Sequence, residues 1–276
     1  MRSEIRLASR RDIPELCALW QACFPDTGDY IRYFYRENFS RISVPVYTLE
    51  GRPVSMLHLM EAAFAEGGEE YPVRFVYAVG THPACRSRGY MRALLLSAER
   101  AAEEGGYGLF LKPAPRLTAY YASLGFVRDS CFRLFTAEPE PDGRRDISFR
   151  PLSPEEYNRL RNAAFSGAPF VKWPDAHVRW SVHENAFCGG QTLVLTVGGS
   201  AHFLMGCPMD GVLRVTETDL CPEELRLAAS ALCGRFGTSR LEAYLPEERC
   251  GEGAAVVSSA VFHAPLRHSY ANLLLF

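Results

Sequence analysis

The chain has 276 residues, 47% of them apolar and 22% charged, with a formal net charge of −2. That length holds one large domain or two of ordinary size, and the near-neutral balance gives no ground for wholesale binding to nucleic acid or an anionic membrane. No apolar run approaches the roughly 18–20 residues needed to span a bilayer, no signal-like stretch follows the first six residues, and the nine cysteines are scattered without a C-x-x-C pair, so the expectation is a cytoplasmic protein with reduced thiols and no metal site.

In chain order, residues 4–24 read as a short strand, a turn with Pro and acids, and an amphipathic helix ending in an aromatic. Tyr30, Tyr33, Phe34, Tyr35 and Phe39 then form an aromatic stripe, readable as the wall of a binding site or as core packing. Residues 44–49 and 53–62 are two strands around the turn 50–52, and 74–79 is a third apolar strand. A helix spans 89 to about 104, because Met91, Leu94, Leu95 and Ala98 share one face, and Gly105-Gly106 ends it. A buried strand at 107–111, a short helix at 117–124 and one or two strands at 126–135 complete the first half.

The segment 137–145, with two prolines, a glycine and mixed charges, is the best linker candidate. Beyond it the order restarts: residues 146–165 resemble 4–24, strands follow at 192–197 and 201–207 around Gly198-Gly199, then at 212–218, a helix from Pro222 to about Phe236, and a strand at 240–245. The expectation is therefore two copies of one fold.

The run from Val79 through Gly80-Thr81-His82-Pro83-Ala84-Cys85-Arg86-Ser87-Arg88-Gly89-Tyr90-Met91 carries the strongest chemical signal. An apolar strand feeds a short basic turn that opens a helix. The first turn of a helix has unpaired N–H donors and a dipole that favours an anion. Arg86 and Arg88 add charge, and Gly89 lets backbone approach a phosphate closely. At the equivalent place the second half has Cys221-Pro222-Glu223-Glu224. Proline removes a donor and two glutamates repel a pyrophosphate, so anion binding is expected in the first half alone.

The stretch Arg86-Ser87-Arg88-Gly89-Tyr90-Met91 resembles the pyrophosphate-binding motif of the GNAT-type N-acetyltransferases, [RQ]-x-x-G-x-[GA]. Arg86 takes the first position and Gly89 the central glycine, while Met91 departs from the small last residue. The order of elements in the first half fits the same family. The resemblance implies an α+β protein of two GNAT-like domains in tandem, each a mixed, mostly antiparallel sheet flanked by helices. Residues 1–136 would be catalytic, 137–145 a linker and 146–276 a degenerate copy, serving as structural partner, wall of the substrate site or face of a homodimer. It implies acetyl-CoA as acyl donor, with Thr81, Arg86, Ser87, Arg88, Gly89, Tyr90 and Met91 on the cofactor and the backbone of Tyr77, Ala78 and Val79 positioning the thioester.

Acyl transfer to an amine needs a base for the amine, donors for the oxyanion and an acid for the leaving thiolate. Tyr121-Ala122-Ser123-Leu124-Gly125-Phe126 resembles the family's Y-x-x-x-G-F signature, which implies Tyr121 as the acid; read on its own, Tyr121 is equally a core-edge aromatic. Adjacent helical positions point about 100° apart, so only one of Tyr120 and Tyr121 is expected to face the sulfur. The base is open. Glu61, at the end of its strand, and Glu69 or Glu70 are candidate bases acting directly or through water, and each also reads as a solvated surface acid. His58 and His82 titrate in the right range, although His82 lies in the turn itself. Relatives of the enhanced-intracellular-survival type use a C-terminal carboxylate, which implies Phe276. Trp173 and Trp180 either line a pocket or pack. The expected activity is transfer of an acetyl group to a primary amine of a small molecule or peptide. A non-catalytic acyl-CoA-binding protein and a partner-packing α/β domain are the readings from other classes.

Overall fold

The structure is a computed structural model that describes residues 2–140, 147–246 and 255–263. In the first half, β1 (Ser3–Leu7) leads through a 3-10 turn into α1 (Ile13–Cys23) and α2 (Gly28–Asn38). Asp12 closes that turn, accepting from the Ser9 backbone and hydroxyl and from the Arg6 guanidinium at 2.6–2.9 Å. Thr27 caps α2 by accepting from the Tyr30 N–H at 3.2 Å. Then come β2 (Pro45–Leu49), β3 (Arg52–Glu66), β4 (Glu69–Thr81), α3 (Tyr90–Gly105), β5 (Gly108–Leu111), α4 (Thr118–Ala122) and β6 (Val127–Ala137).

The second half repeats the order: β7 (Phe149–Pro151), α5 (Pro154–Phe165), β8 (Phe170–Lys172), α6 (Asp175–Phe187), β9 (Gln191–Val197), β10 (Ser200–Met209), β11 (Val212–Thr218), α7 (Pro222–Phe236), β12 (Arg240–Pro246) and β13 (Ala255–His263). The fold is α+β, two units of like element order in tandem. Apart from α2, α6, β8 and β13, the elements lie where the periodicity puts them. The 74–79 strand extends to both sides because β3 and β4 pair continuously, from Glu66 opposite Glu69 to Ser55 opposite Thr81.

The two halves share one 13-stranded sheet in the order β1-β2-β3-β4-β5-β13-β6-β12-β11-β10-β9-β7, with β8 pairing on β3. Two crossings join them. β6, from the first half, lies antiparallel to β12 of the second, and β13, from the end of the second half, inserts between β5 and β6. No local pattern signals such an exchange, because it is a matter of which edge each strand meets.

Three apolar cores follow. The largest joins the halves: Trp20, Phe34, Phe64, Phe75 and Phe110 of the first meet Tyr157, Phe165, Trp173, Trp180 and Phe203 of the second. The other cores lie under α3 and α4, around Leu94, Leu95 and Tyr121, and under α7, around Leu225 and Leu232. Trp173 and Trp180 are packing residues. Trp173 lies against Phe75 and Phe110 at ring distances of 5.9 Å, and Trp180 against Phe34 at 5.7 Å. Burying side chains of this size contributes about 1.5–3 kcal/mol each, so the interface between the halves is part of the core. Among the described residues no helix is long and apolar enough to cross a membrane.

Candidate active site

A cavity of about 620 Å³ opens where β4 ends and α3 begins. Val79, Gly80 and Thr81 form one wall, the turn from Cys85 to Gly89 and the first residues of α3 a second, and Arg116, Leu117, Tyr120 and Tyr121 the third. Cys23 and Phe24, at the end of α1, close the side. Gly80 permits that approach, since a Cβ there would stand 3.1 Å from the Cys23 sulfur and 3.3 Å from the Phe24 ring.

The turn is shaped by local backbone requirements. His82 accepts from the Ala84 N–H at 3.3 Å, which assigns it to the loop. Arg86 Nε donates to the Thr81 carbonyl at 3.2 Å, tying the turn to the end of β4. Ser87 and Gly89 both have left-handed φ, 61° and 79°, and Gly89 is the N-cap of α3. A Cβ at Gly89 would meet nothing within 4 Å, so what the glycine supplies is the backbone conformation. The N–H groups of the first turn of α3 have no intrahelical acceptor. Arg86, Arg88, Arg92 and Arg116 line the cavity, no acid does, and none of the four is paired with an acid among the described residues. The cavity is therefore electropositive.

On β4 two irregularities coincide. Val73, Arg74 and Phe75 pair in parallel with Gly108, Leu109 and Phe110, and beyond Phe75 the strand has no partner on β5. On the other edge the register with β3 shifts between Met56 and His58, so that Leu57 faces both Ala78 and Val79, and Ala78 takes φ 45°. This is a β-bulge, which re-aims backbone groups next to a site. Beyond Phe75, the β4 backbone groups that do not pair with β3 thus face a gap in the sheet.

Tyr121 is buried and lines the cavity from α4. It packs edge-on against Phe126 at 5.6 Å and Tyr120 at 5.4 Å. The turn back into β6 runs through Gly125, φ 93°, with the Leu124 and Phe126 N–H groups both donating to the Tyr121 carbonyl. Its hydroxyl makes no hydrogen bond to any described residue, and burial raises its pKa, so it stays protonated. Tyr120 lines the same cavity but is half-buried.

The other candidate residues divide. Val79, Thr81, Arg86, Ser87, Arg88, Gly89, Tyr90 and Met91 line the cavity; the Tyr90 ring also stacks on Tyr47 at 4.5 Å. Tyr77 and Ala78 are not on its wall. The Tyr77 side chain points into an adjoining aromatic recess. Glu61 is exposed and faces Arg74 at 3.4 Å, three residues along β3 from His58 and hence about 10 Å away. The structure therefore brings Glu61 to solvent, away from the cavity. Glu70 pairs with Lys172, also at the surface. His58 is fully buried, with Nε2 at 2.9 Å from the Tyr35 hydroxyl and Nδ1 at 3.2 Å from the Tyr77 carbonyl; burial holds its pKa down to about 4. With both nitrogens engaged, His58 serves as a packing and hydrogen-bonding residue. Phe276 lies outside the described residues.

The recess beside the cavity contains a group the sequence reading missed. The aromatic stripe splits there: Phe34 and Tyr35 enter the core, while Tyr30 and Tyr33 turn toward the second half. The Tyr30 hydroxyl donates to Glu184 on α6 at 2.7 Å and lies 3.5 Å from the Tyr77 hydroxyl. Desolvation by burial raises Glu184 to about 7; the Tyr30 hydrogen bond opposes this and nearby Asp26 adds to it. The one signal in the sequence was an acid four residues after Trp180, on the same face of a helix whose aromatic is buried.

The chain is similar to known proteins in two ways. Residues 4–128 match the family model described as an acetyltransferase (GNAT) domain. Among solved structures, a GCN5-related N-acetyltransferase from Kribbella flavida is 18% identical with a TM-score of 0.69, over 96% of this chain and 74% of that one. One from Anabaena variabilis is 13% identical with a TM-score of 0.73, over 95% and 72%. A tandem GNAT protein from the clavulanic acid biosynthesis pathway is 15% identical with a TM-score of 0.59, over 95% and 97%. No curated protein matches the chain. At these identities the structural likeness speaks for the fold, and the family model adds the motif-bearing half. Residues 4–128 thus match the GNAT acetyltransferase domain family, and the fold of the whole chain is like that of a tandem GNAT protein.

Proposed function

We propose that the protein is an N-acyltransferase that moves the acetyl group of acetyl-CoA directly to a primary amine. The observation that carries this reading is one cavity joining an electropositive helix N-terminus to a buried, unpaired tyrosine hydroxyl. A diphosphate fits the donor set at one end: the free N–H groups of α3, the left-handed turn at Ser87 and Gly89, and the guanidiniums of Arg86 and Arg88, which have no acidic partner among the described residues. Open space around Gly89 leaves room for it. The gap between β4 and β5, with the bulge at Ala78 and Val79, suits a pantetheine arm pairing with strand backbone, and backbone N–H groups there would polarise the thioester carbonyl. Tyr121 would hand its proton to the departing sulfur.

Residues 1–136 would form the acyl-CoA-binding half and 146–276 a half that binds no CoA. At the matching helix start, Glu224 accepts from the Cys221 N–H at 2.8 Å, so the N-terminus of α7 is capped by its own carboxylate. The alternative, a non-catalytic acyl-CoA-binding protein on the same fold, is favoured by the position of Glu61 at solvent. Calorimetry with acetyl-CoA followed by an amine screen separates the two. Tyr121→Phe is expected to bind acetyl-CoA within about twofold of wild type and to lose roughly 100-fold or more in kcat. Wild type that binds but acetylates no amine supports the alternative. Wild type that does not bind removes both.

A further inference from the structure

The chain divides its charges between two adjoining spaces. The cavity at α3 carries four arginines and no acid. The recess on the far side of Trp20 carries two acids, Asp26 and Glu184, and neither forms an ion pair with a described cation. The spaces touch through packed rings. Phe24 lines the cavity and lies 6.0 Å from Trp20, Trp20 lies 5.7 Å from Tyr77, and the Tyr77 hydroxyl reaches that of Tyr30, which holds Glu184. Trp20 Nε1 donates to Asp26 at 2.8 Å. Tyr77 is also two residues before Val79, where the β4 bulge faces the cavity.

We propose that Glu184, supplied by the second half of the chain, is the base that receives the proton of the acceptor ammonium, and that the acceptor is a primary amine carrying an apolar or aromatic body. The inference rests on the N-acyltransferase reading. One carboxylate oxygen of Glu184 is held by Tyr30, and the other has no hydrogen-bond partner among the described residues. Glu184 is half-buried as a residue. The partly exposed rings of Tyr30 and Tyr77 and, at the rim, the stacked Tyr33 and Phe187 at 4.6 Å supply π faces to an ammonium and its apolar body. Arg36 lies 5.3 Å over Tyr33 on the outside and is paired with Glu37, so it leaves the recess acidic.

The Tyr30 hydroxyl touches Glu184, and the other titratable groups coupled to it through space are the phenols of Tyr33 and Tyr77, the Asp26 carboxylate and the thiols of Cys188 and Cys207. None carries a positive charge, and Asp26 raises rather than lowers the proton affinity of Glu184. A carboxylate with proton affinity near neutrality can take a proton from an ammonium and return it to solvent. The nitrogen lone pair then forms the C–N bond to the thioester carbon, and the C–S bond breaks with its electron pair leaving on sulfur. Tyr121 gives that sulfur a proton, and the second proton shed by nitrogen restores the phenol through solvent. The net change is an ammonium and a thioester to an amide, a thiol and one proton.

The test compares wild type, Glu184→Gln and Glu184→Asp, with acetyl-CoA binding by calorimetry and turnover of 2-phenylethylamine and ethylamine between pH 5.5 and 9. The expected result is unchanged acetyl-CoA affinity in all three and a kcat at least 100-fold lower in Glu184→Gln. The acidic limb of wild-type kcat/KM near pH 7 should vanish in that variant, with partial recovery in Glu184→Asp. 2-Phenylethylamine should exceed ethylamine at least tenfold in kcat/KM. If wild type does not bind acetyl-CoA, the N-acyltransferase reading itself fails. If wild type binds and turns over but Glu184→Gln keeps its rate and its acidic limb, Glu184 is not the base. If neither amine is acetylated, or ethylamine is as good, the acceptor class is wrong. Should Glu184→Gln not fold, a carbon-13 titration of the Glu184 carboxyl in wild type replaces it, and a midpoint below 5 overturns the proposal.

Discussion

Gly89 offers the sharpest test of where the pyrophosphate sits. Its φ of 79° belongs to the left-handed region, and a Cβ there meets nothing within 4 Å. A side chain therefore costs backbone strain of roughly 1–2 kcal/mol without a clash. Gly89→Ala isolates that term. The strain is common to the free and bound states, so the acetyl-CoA Kd should move less than about threefold while Tm falls by roughly 2–6 °C. Gly89→Glu adds a charge at the mouth of the cavity. A carboxylate about 5 Å from a phosphate charge repels it by ~3 kcal/mol at an effective dielectric of 20. Gly89 is exposed, and solvent screening reduces this to about 1.5–2 kcal/mol, or roughly 10–30-fold in Kd beyond Gly89→Ala. Calorimetry at about 50 mM salt reads the difference, which should shrink as the salt is raised. A Gly89→Glu protein that binds acetyl-CoA within twofold of Gly89→Ala would refute the placement of the diphosphate at α3.

Three further predictions concern the frame around the site. Asp12 is held well below the usual carboxylate range, chiefly by its hydrogen bond from Arg6; its stabilisation is present above the unfolded pKa near 4 and is lost as pH falls through the lower folded value. Asp12→Asn should therefore cost about 1.5–3 kcal/mol at pH 7, with a gap to wild type in urea unfolding that is constant down to pH 5 and narrows below pH 4; a gap indifferent to pH would show that the ion pair is not its source. Glu217, fully buried, accepts from Arg161 Nε at 3.0 Å and from the Tyr157 hydroxyl, so Glu217→Gln should destabilise by about 3–5 kcal/mol by leaving the guanidinium charge uncompensated, and Arg161→Met with Glu217→Leu should recover most of it. A fragment of residues 1–145 should show no cooperative unfolding transition, because β5 and β6 both lose the strand that lies between them and β6 also loses β12; cooperative unfolding together with full acetyl-CoA affinity would contradict this.

The sequence by itself determined what depends on neighbours along the chain. Periodicity placed α3 and α7, Gly51 and the pair Gly198-Gly199 placed two hairpin turns, and the run from Arg86 to Met91 defined a basic helix N-terminus, because caps, turns and left-handed residues are local choices. Tyr121 was singled out by resemblance to the Y-x-x-x-G-F signature, and the structure puts it on the cavity wall. Tertiary structure alone decided which strands meet and which polar groups converge. The exchange of β6 and β13 depends on edges with no sequence signature. The fates of Glu61, at solvent with Arg74, and His58, enclosed by Tyr35 and the Tyr77 carbonyl, depend on which side of the sheet is covered. Glu184 lies 154 residues from Tyr30 in sequence and 2.7 Å from it in space. Its environment is set by the packing of α6 against α2, a contact between two halves that no stretch of either half encodes.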